Sequence, residues 1–277
     1  MRTHGIKTTN PIAVGDHVEV VQDQDRGYSI SAISDRRNYV LRKSVNLSKR
    51  AHILCANIDQ AVIVFSIEHP VTTLGYVDRL LLTCEAYHIK PVILFTKIDL
   101  LSQDGWQRLG DYQKLYGGAG YEHHAISVKD PGYAPEIQEM LRGKVSFMVG
   151  RSGSGKSATV NLVAPELKLK VGTVSDFSGR GIHTTTFAEM FALPFGGAII
   201  DSPGFREMQI FDFEKAELGP LFPEMRPYLD ACRFGNCLHM NEPGCAVKAS
   251  VKGGRIPESR YHTYLGMLAE VGRNVWD

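Results

Sequence analysis

From residue 57 onward the chain alternates short, unbroken apolar runs with longer stretches in which apolar residues recur every three or four positions. The runs "QAVIVFSI", "KPVILFTK", "HHAIS", "KVSFMVG" and "GGAII" predict strands, most of them buried on both faces. Between them, "VDRLLLTCEAYH", a segment near 104–116, "PEIQEMLR" and "SATVNLV" predict helices. Strands alternating with helices predict a parallel sheet wrapped by helices, an α/β domain. The pattern differs on either side. Upstream, "DHVEVVQ" and "YSISAIS" are β-like runs separated by polar turns, as in part of a small β-barrel. Downstream of "GGAIIDSPGF" the strands stop, and short helices gather around a cysteine cluster before the helical stretch "ESRYHTYLGMLAEVGR". The expected division is residues 1–56, 57–210 and 211–277.

With 277 residues, 43% of them apolar and 22% charged, the chain can bury a real core and is long enough for two or three modules. No apolar run approaches the roughly 20 residues that a membrane span needs, and "MRTHGIKTTN" lacks the apolar core of a signal peptide. A cytoplasmic protein without a membrane partner is expected. The net charge of +1 gives no overall electrostatic pointer, but residues 1–55 carry nine Lys or Arg against five Asp or Glu. The pairs Arg36–Arg37, Arg42–Lys43 and Lys49–Arg50 fit either a solvated loop surface or contact with nucleic acid.

"GRSGSGKS", residues 150–157, lies between a predicted strand and a predicted helix, the setting of a phosphate-binding loop. Gly150, Arg151, Ser152, Gly153, Ser154, Gly155, Lys156, Ser157 and Ala158 form the candidate phosphate cradle. Backbone N–H groups and the helix N-terminus face the phosphates, Lys156 reaches the β and γ positions, and the Ser157 hydroxyl binds Mg²⁺. "TKID", residues 96–99, follows another buried strand, so Asp99 emerges at its carboxyl end, where open α/β sheets bind ligands. A carboxylate there accepts from guanine N1–H and N2–H₂ together, adenine offers no such pair, and the Lys97 stem can cover the base. "ISV" at 126–128 adds Ser127 and Val128, "DSPG" adds Asp201 and Gly204, and "GIHTTT" at 181–186 adds the switch threonine Thr185, a second Mg²⁺ ligand. These are the nucleotide-binding elements of a small GTPase in rotated order: the base-reading segments precede the phosphate loop. A circular permutation produces that order while keeping every strand's place, because domain termini commonly lie close together.

On these motifs, together with "VGD", "ANIDQAVIV", "GRGIHTTT", "DSPGF" and "EPGCAV", the chain resembles the circularly permuted GTPases of the RsgA (YjeQ) family over nearly its whole length. The resemblance implies three successive modules, an OB-fold, a permuted GTPase domain and a zinc-binding domain. It also implies an activity, GTP hydrolysis during late maturation of the small ribosomal subunit, with ribosomal RNA as a binding partner. Two departures stand out. Thr96 occupies a position where the family usually has Asn, and its hydroxyl can still bond toward the phosphate loop. The family's barrel also begins some strands earlier, so a partial one is expected here.

Cys232, Cys237, His239 and Cys245 fall within fourteen residues. Three thiolates and an imidazole can close a tetrahedral Zn²⁺ site with no open position, which is the structural type. His262 is a more distant fourth ligand, and disulfide pairing is the alternative that a reducing compartment disfavours. Cys55 and Cys84 sit in apolar contexts and read as core.

Catalysis starts from a gap: the position after "DSPG", where many GTPases place a water-orienting glutamine, holds Phe205. His183 is the nearest titratable candidate, the resembling family has a histidine there, and an RNA contact or a solvated loop residue are its other readings. The catalytic candidates are therefore His183, Lys156 and Thr185. The expected protein is a monomeric GTPase that uses GTP/GDP, Mg²⁺ and one Zn²⁺ and binds the small ribosomal subunit and its rRNA. A nucleotide-gated RNA-binding scaffold with vestigial hydrolysis is the alternative, and an ATP-using kinase is disfavoured by the absence of a recognisable phosphoacceptor site or lid.

Overall fold

The computed structural model describes residues 7–8, 11–23, 27–43, 50–169, 188–201 and 213–271. Near the N-terminus, β1 (Lys7–Thr8), β4 (Tyr39–Lys43) and β5 (Arg50–Ala56) form one sheet, in which β5 pairs parallel with β1 and antiparallel with β4. β2 (Val18–Asp23) and β3 (Gly27–Ile33) form a separate antiparallel hairpin. Among the described residues the expected partial barrel is thus two small sheets, and every residue of β3 is exposed. The junction with the next module is stitched by side-chain amides. Asn38 accepts from the Ile58 N–H and donates to the Ile58 carbonyl, both at 2.8 Å, while Asn57 donates to the Gly15 carbonyl at 2.9 Å. Of the first basic pair, Arg37 crosses the junction to Asp59 at 2.7 Å, while Arg36 is bidentate on Asp16 at 2.6 and 2.7 Å within the N-terminal segment.

Among the described residues the strands and α-helices that follow are β6 (Gln60–Ser66), α1 (Leu74–Ala86), β7 (Lys90–Thr96), α2 (Gln103–Gly118), β8 (Glu122–Ala125), α3 (Ala134–Leu141), β9 (Val145–Val149), α4 (Lys156–Val163), β10 (Glu189–Ala192) and β11 (Ala198–Asp201). The sheet order is β10-β11-β9-β6-β7-β8, parallel throughout except for the β10–β11 edge. Every residue of β6 is buried, and the pleat sends alternate side chains to opposite layers. Ile63 and Phe65 join Val77, Leu80 and Leu81 of α1 and Tyr116 of α2, whereas Val62 and Val64 join Ile137 and Leu141 of α3 and Val160 of α4. Each such side chain contributes about 1.5–3 kcal/mol by leaving water, which is why the central strands read as unbroken apolar runs. Only residues 142–144 link α3 to β9. A domain that began at β9 and closed with α3 would have its two ends at this link.

The C-terminal module contains α5 (Lys215–Leu218), α6 (Ala246–Lys252) and α7 (Glu258–Glu270). Tyr264, Met267 and Leu268 of α7 pack with Leu218, Phe222, Val247 and Ile256, and Leu82 of α1 enters the same cluster. A buried ion cluster lies across this contact. Arg260, 1% exposed, donates to Asp78 of α1 at 2.5 Å and to Glu224 at 2.6 Å. The Tyr116 hydroxyl donates to the same Asp78 oxygen at 3.0 Å, and the ring of Phe222 lies 4.9 Å from the guanidinium carbon. Arg79–Glu270 and Arg226–Glu85 pairs flank the contact. Burying a guanidinium is tolerable only while its partners remain, and losing one leaves a charge stranded in a low-dielectric site. Asp78→Ala should therefore destabilise the protein by about 3–5 kcal/mol, read as a lower denaturant midpoint, whereas an unchanged midpoint would show that the cluster contributes little.

Candidate nucleotide site and candidate metal centre

The carboxyl ends of β11, β9, β6 and β7 open onto one edge of the sheet, and the motif segments gather there. β9 ends at Val149 and α4 begins at Lys156, so the phosphate-loop sequence spans the strand-to-helix turn expected of it. Gly150 is dictated by close approach: a Cβ at this position would stand 2.4 Å from the Val64 carbonyl oxygen of neighbouring β6. The turn is drawn tight by the Ser154 N–H donating to the Arg151 carbonyl at 3.1 Å, and the head of α4 is held by the Thr159 N–H and hydroxyl, both on the Gly155 carbonyl at 2.8 and 2.9 Å. Lys156 and Ser157 are buried, and the Lys156 ammonium donates to the carbonyls of Gly150 and Arg151 at 2.8 and 3.0 Å. The lysine is thereby pinned over its own loop. Gly153, Ser152 and Ala158 lie in the same turn and first helical residues.

The candidate base-reading segment reaches the same place from β7. Thr96, 2% exposed at the end of that strand, donates its hydroxyl to the Ser154 carbonyl at 2.6 Å, so the residue that replaces the usual asparagine still joins the two motifs. Lys97 takes a left-handed backbone conformation, φ 60° and ψ 36°, which turns the chain sharply into the 98–100 helical turn carrying Asp99. Its ammonium donates to the His69 carbonyl at 2.6 Å. Buried Ser127, just past the end of β8, donates to Asp99 Oδ1 at 2.7 Å, and Lys129 meets Oδ2 at 3.0 Å. The Ser127 hydroxyl first, with Lys129 after it, holds the Asp99 carboxyl below its ordinary range. An oriented, ionised carboxylate beside a phosphate cradle can accept two donors of one purine edge. Sequence reasoning passed over Lys129, although its position directly after "ISV" was the available signal.

Asp201 is buried at the end of β11, on the edge that carries the phosphate loop. His183, Thr185, Gly204 and Phe205 lie outside the described residues. So does the segment 202–212, which joins β11 to the C-terminal module.

The second cluster stands in the C-terminal module. The ligand atoms of Cys232, Cys237, His239 and Cys245 all lie within 4.8 Å of one another. His239 Nδ1 is 3.5 Å from Cys232 Sγ and 3.4 Å from Cys245 Sγ, and those two sulfurs are 3.9 Å apart. A tetrahedral zinc with bonds of about 2.3 Å to sulfur and 2.0–2.1 Å to nitrogen needs edges of roughly 3.8 and 3.6 Å, so the residues present fit such an ion. Burial lowers the His239 pKa and so favours the neutral imidazole that a metal takes. The ligand loop is braced from within by Glu242, which accepts from the N–H groups of Leu238 and Met240 at 2.7 and 2.8 Å, and from outside by Tyr261, which donates to the His239 carbonyl at 2.6 Å. All five cysteines are free thiols, with Cys55 and Cys84 buried in the core as expected. His262 pairs with Glu258 at 3.9 Å and is not among the four.

Residues 33–211 match the family model described as RsgA GTPase. The chain belongs to the RsgA GTPase family. Membership brings with it a guanine nucleotide and Mg²⁺. The chain is 42% identical over 269 residues to the small ribosomal subunit biogenesis GTPase RsgA of Phocaeicola vulgatus, covering 97% of this chain and 87% of that protein. The RsgA of Flavobacterium johnsoniae is 45% identical over 273 residues, covering 96% and 83%. Among solved structures, YjeQ from Thermotoga maritima superposes with a TM-score of 0.78 at 33% identity, covering 95% of this chain and 86% of that one. YloQ, described as a circularly permuted GTPase, gives 0.74 at 30% identity, covering 96% and 84%. The permuted RsgA architecture therefore agrees with the β9-centred sheet and the short 142–144 link.

Proposed function

We propose that this chain hydrolyses GTP on the immature small ribosomal subunit and leaves the subunit after hydrolysis. The observation that carries the reading is the junction of the two motif segments: Asp99, oriented by Ser127, stands beside a phosphate loop to which Thr96 is directly bonded. In this reading residues 150–158 bind the phosphates, Lys156 neutralises charge at the β and γ positions, and Ser157 and Thr185 hold Mg²⁺. Asp99 reads guanine N1–H and N2–H₂, with Lys97, Ser127 and Val128 around the base and Asp201 and Gly204 at the γ-phosphate side. His183 orients the attacking water, since Phe205 has no group to do so.

Cys232, Cys237, His239 and Cys245 hold one structural Zn²⁺, a closed four-ligand set whose spacing fits that ion. The protein is a cytoplasmic monomer that binds rRNA, and its modules divide at residues 56/57 and 210/211. In chain order these are a partial OB-like module, the permuted GTPase domain and the zinc module. The names of its relatives, which specify small-subunit biogenesis, support the partner. Among the described residues no helix is long and apolar enough to cross a membrane.

Two measurements test this. GTP turnover should be slow for the protein alone and strongly stimulated by purified small subunits, and His183→Ala should lose most of that stimulation with GTP affinity nearly unchanged. Full stimulation in His183→Ala would remove the histidine from the mechanism, and no stimulation of the parent would favour a scaffold with vestigial hydrolysis. Elemental analysis should find about one zinc per chain, and Cys237→Ser should lose the metal and loosen the C-terminal module while nucleotide binding persists. Metal-free parent protein, or iron in place of zinc, would refute the metal assignment.

A further inference from the structure

Residues 67–73, between β6 and α1, carry none of the motifs, yet both motif segments lean on them. The Lys97 ammonium donates to the His69 carbonyl at 2.6 Å, and the Arg151 guanidinium donates to the Val71 carbonyl. Two backbone carbonyls of one loop thus steady a cation from the base-reading segment and a cation from the phosphate loop. They can do so only if the loop itself is fixed.

Glu68 supplies that fixing. Its carboxylate accepts from the Ser102 N–H at 2.9 Å and the Ser102 hydroxyl at 2.7 Å, with the Arg108 guanidinium on the same side. The Ser102 donors come first among the influences that hold this carboxyl below its ordinary range. Ser102 is the N-cap of α2, its own hydroxyl accepting from the Gly105 N–H at 3.0 Å, and it stands three positions after Asp99. Glu68 therefore grips the downstream end of the very segment whose lysine its neighbour His69 holds upstream. Room for the carboxylate comes from Gly105, buried in the first turn of α2: a Cβ there would lie 2.8 Å from Glu68 Oε1 and 2.9 Å from its carboxyl carbon. Glycine within a helix is less stable than alanine, so the sequence accepts a local weakness where the carboxylate needs space.

Resting on the reading of Lys97 and Asp99 as the base-contacting pair, we propose that Glu68 is a positioning residue for guanine-nucleotide binding. It ties the 67–73 loop to the head of α2 and presets Lys97 and Asp99, and Gly105 is the gap that admits it. Glu68 touches no nucleotide; its effect runs through the segment it holds.

The test uses the full chain, release of a fluorescent GDP analogue, and GTP turnover against concentration. Glu68→Ala should speed GDP release about tenfold, the scale of a lost charge-assisted hydrogen bond. It should raise KM for GTP while kcat at saturation stays within about twofold, because a presetting contact acts on binding more than on the chemical step. Glu68→Gln, which keeps an acceptor for Ser102, should restore most of the parental release rate. Gly105→Ala provides the second line: it leaves Glu68 in the chain and favours the helix, yet displaces the carboxylate, so GDP release should quicken with no fall in thermal midpoint. A merely structural role would move stability and affinity together. Parental release rates in Glu68→Ala and Gly105→Ala, or a fall of kcat in step with the rise in KM, would overturn the proposal while leaving the base reading intact if the parent still prefers GDP to ADP. No such preference in the parent would overturn both.

Discussion

The candidate nucleotide site depends on one buried hydrogen bond, from the Thr96 hydroxyl to the Ser154 carbonyl at 2.6 Å. The candidate base-reading and phosphate-binding segments arrive by separate routes, β7 and β9, with β6 lying between those strands. No covalent continuity sets the distance between base and phosphate sites; the sheet sets it approximately, and the Thr96 bond sets it finally. A buried acceptor left without its donor costs about 1–3 kcal/mol, so the two loops are held together by more than packing. The threonine hydroxyl makes this link with a single bond to a backbone carbonyl.

The same helix that starts beside this site also carries the C-terminal module. The 67–73 loop leads directly into α1, and α1 presents Asp78 to Arg260 and Leu82 to the module's apolar cluster. A buried guanidinium with two carboxylates and a tyrosine hydroxyl tolerates little misalignment, because any displacement strands charge away from water. The candidate metal-ligand cluster therefore sits on a module whose seat on the GTPase domain is fixed by charge geometry as well as by apolar packing. Contact through α1 is a physical connection between nucleotide site and module, separate from the covalent path through 202–212.

Much of this was legible in the sequence, and the boundary of legibility has physical causes. Strands such as β6 and β7 announce themselves because both faces are buried, so the apolar run is unbroken. The phosphate loop and the Cys/His cluster are legible because their chemistry demands particular residue types at short spacing. β10 was not foreseen: four residues at a sheet edge, with Met190 exposed, carry too little contrast between faces. Arg260 reads in sequence as one more surface charge of α7, since the carboxylate that buries it lies 182 positions away. Arg36 misleads in the other direction, an apparent member of a basic patch whose guanidinium is committed to Asp16. Long-range pairing of charges leaves no local pattern, and that is where sequence reading stopped.

The central assignment is that Asp99, oriented by Ser127 and brought to the phosphate loop through Thr96, selects guanine. Competition among GDP, ADP and XDP for the parent and for Asp99→Asn tests it most directly. The parent should prefer GDP to ADP by at least about a thousandfold, since a site built to accept two donors rejects a base that lacks them. Asp99→Asn should turn the preference toward XDP, whose O2 accepts from the new amide. Equal affinity of the parent for GDP and ADP would contradict the assignment.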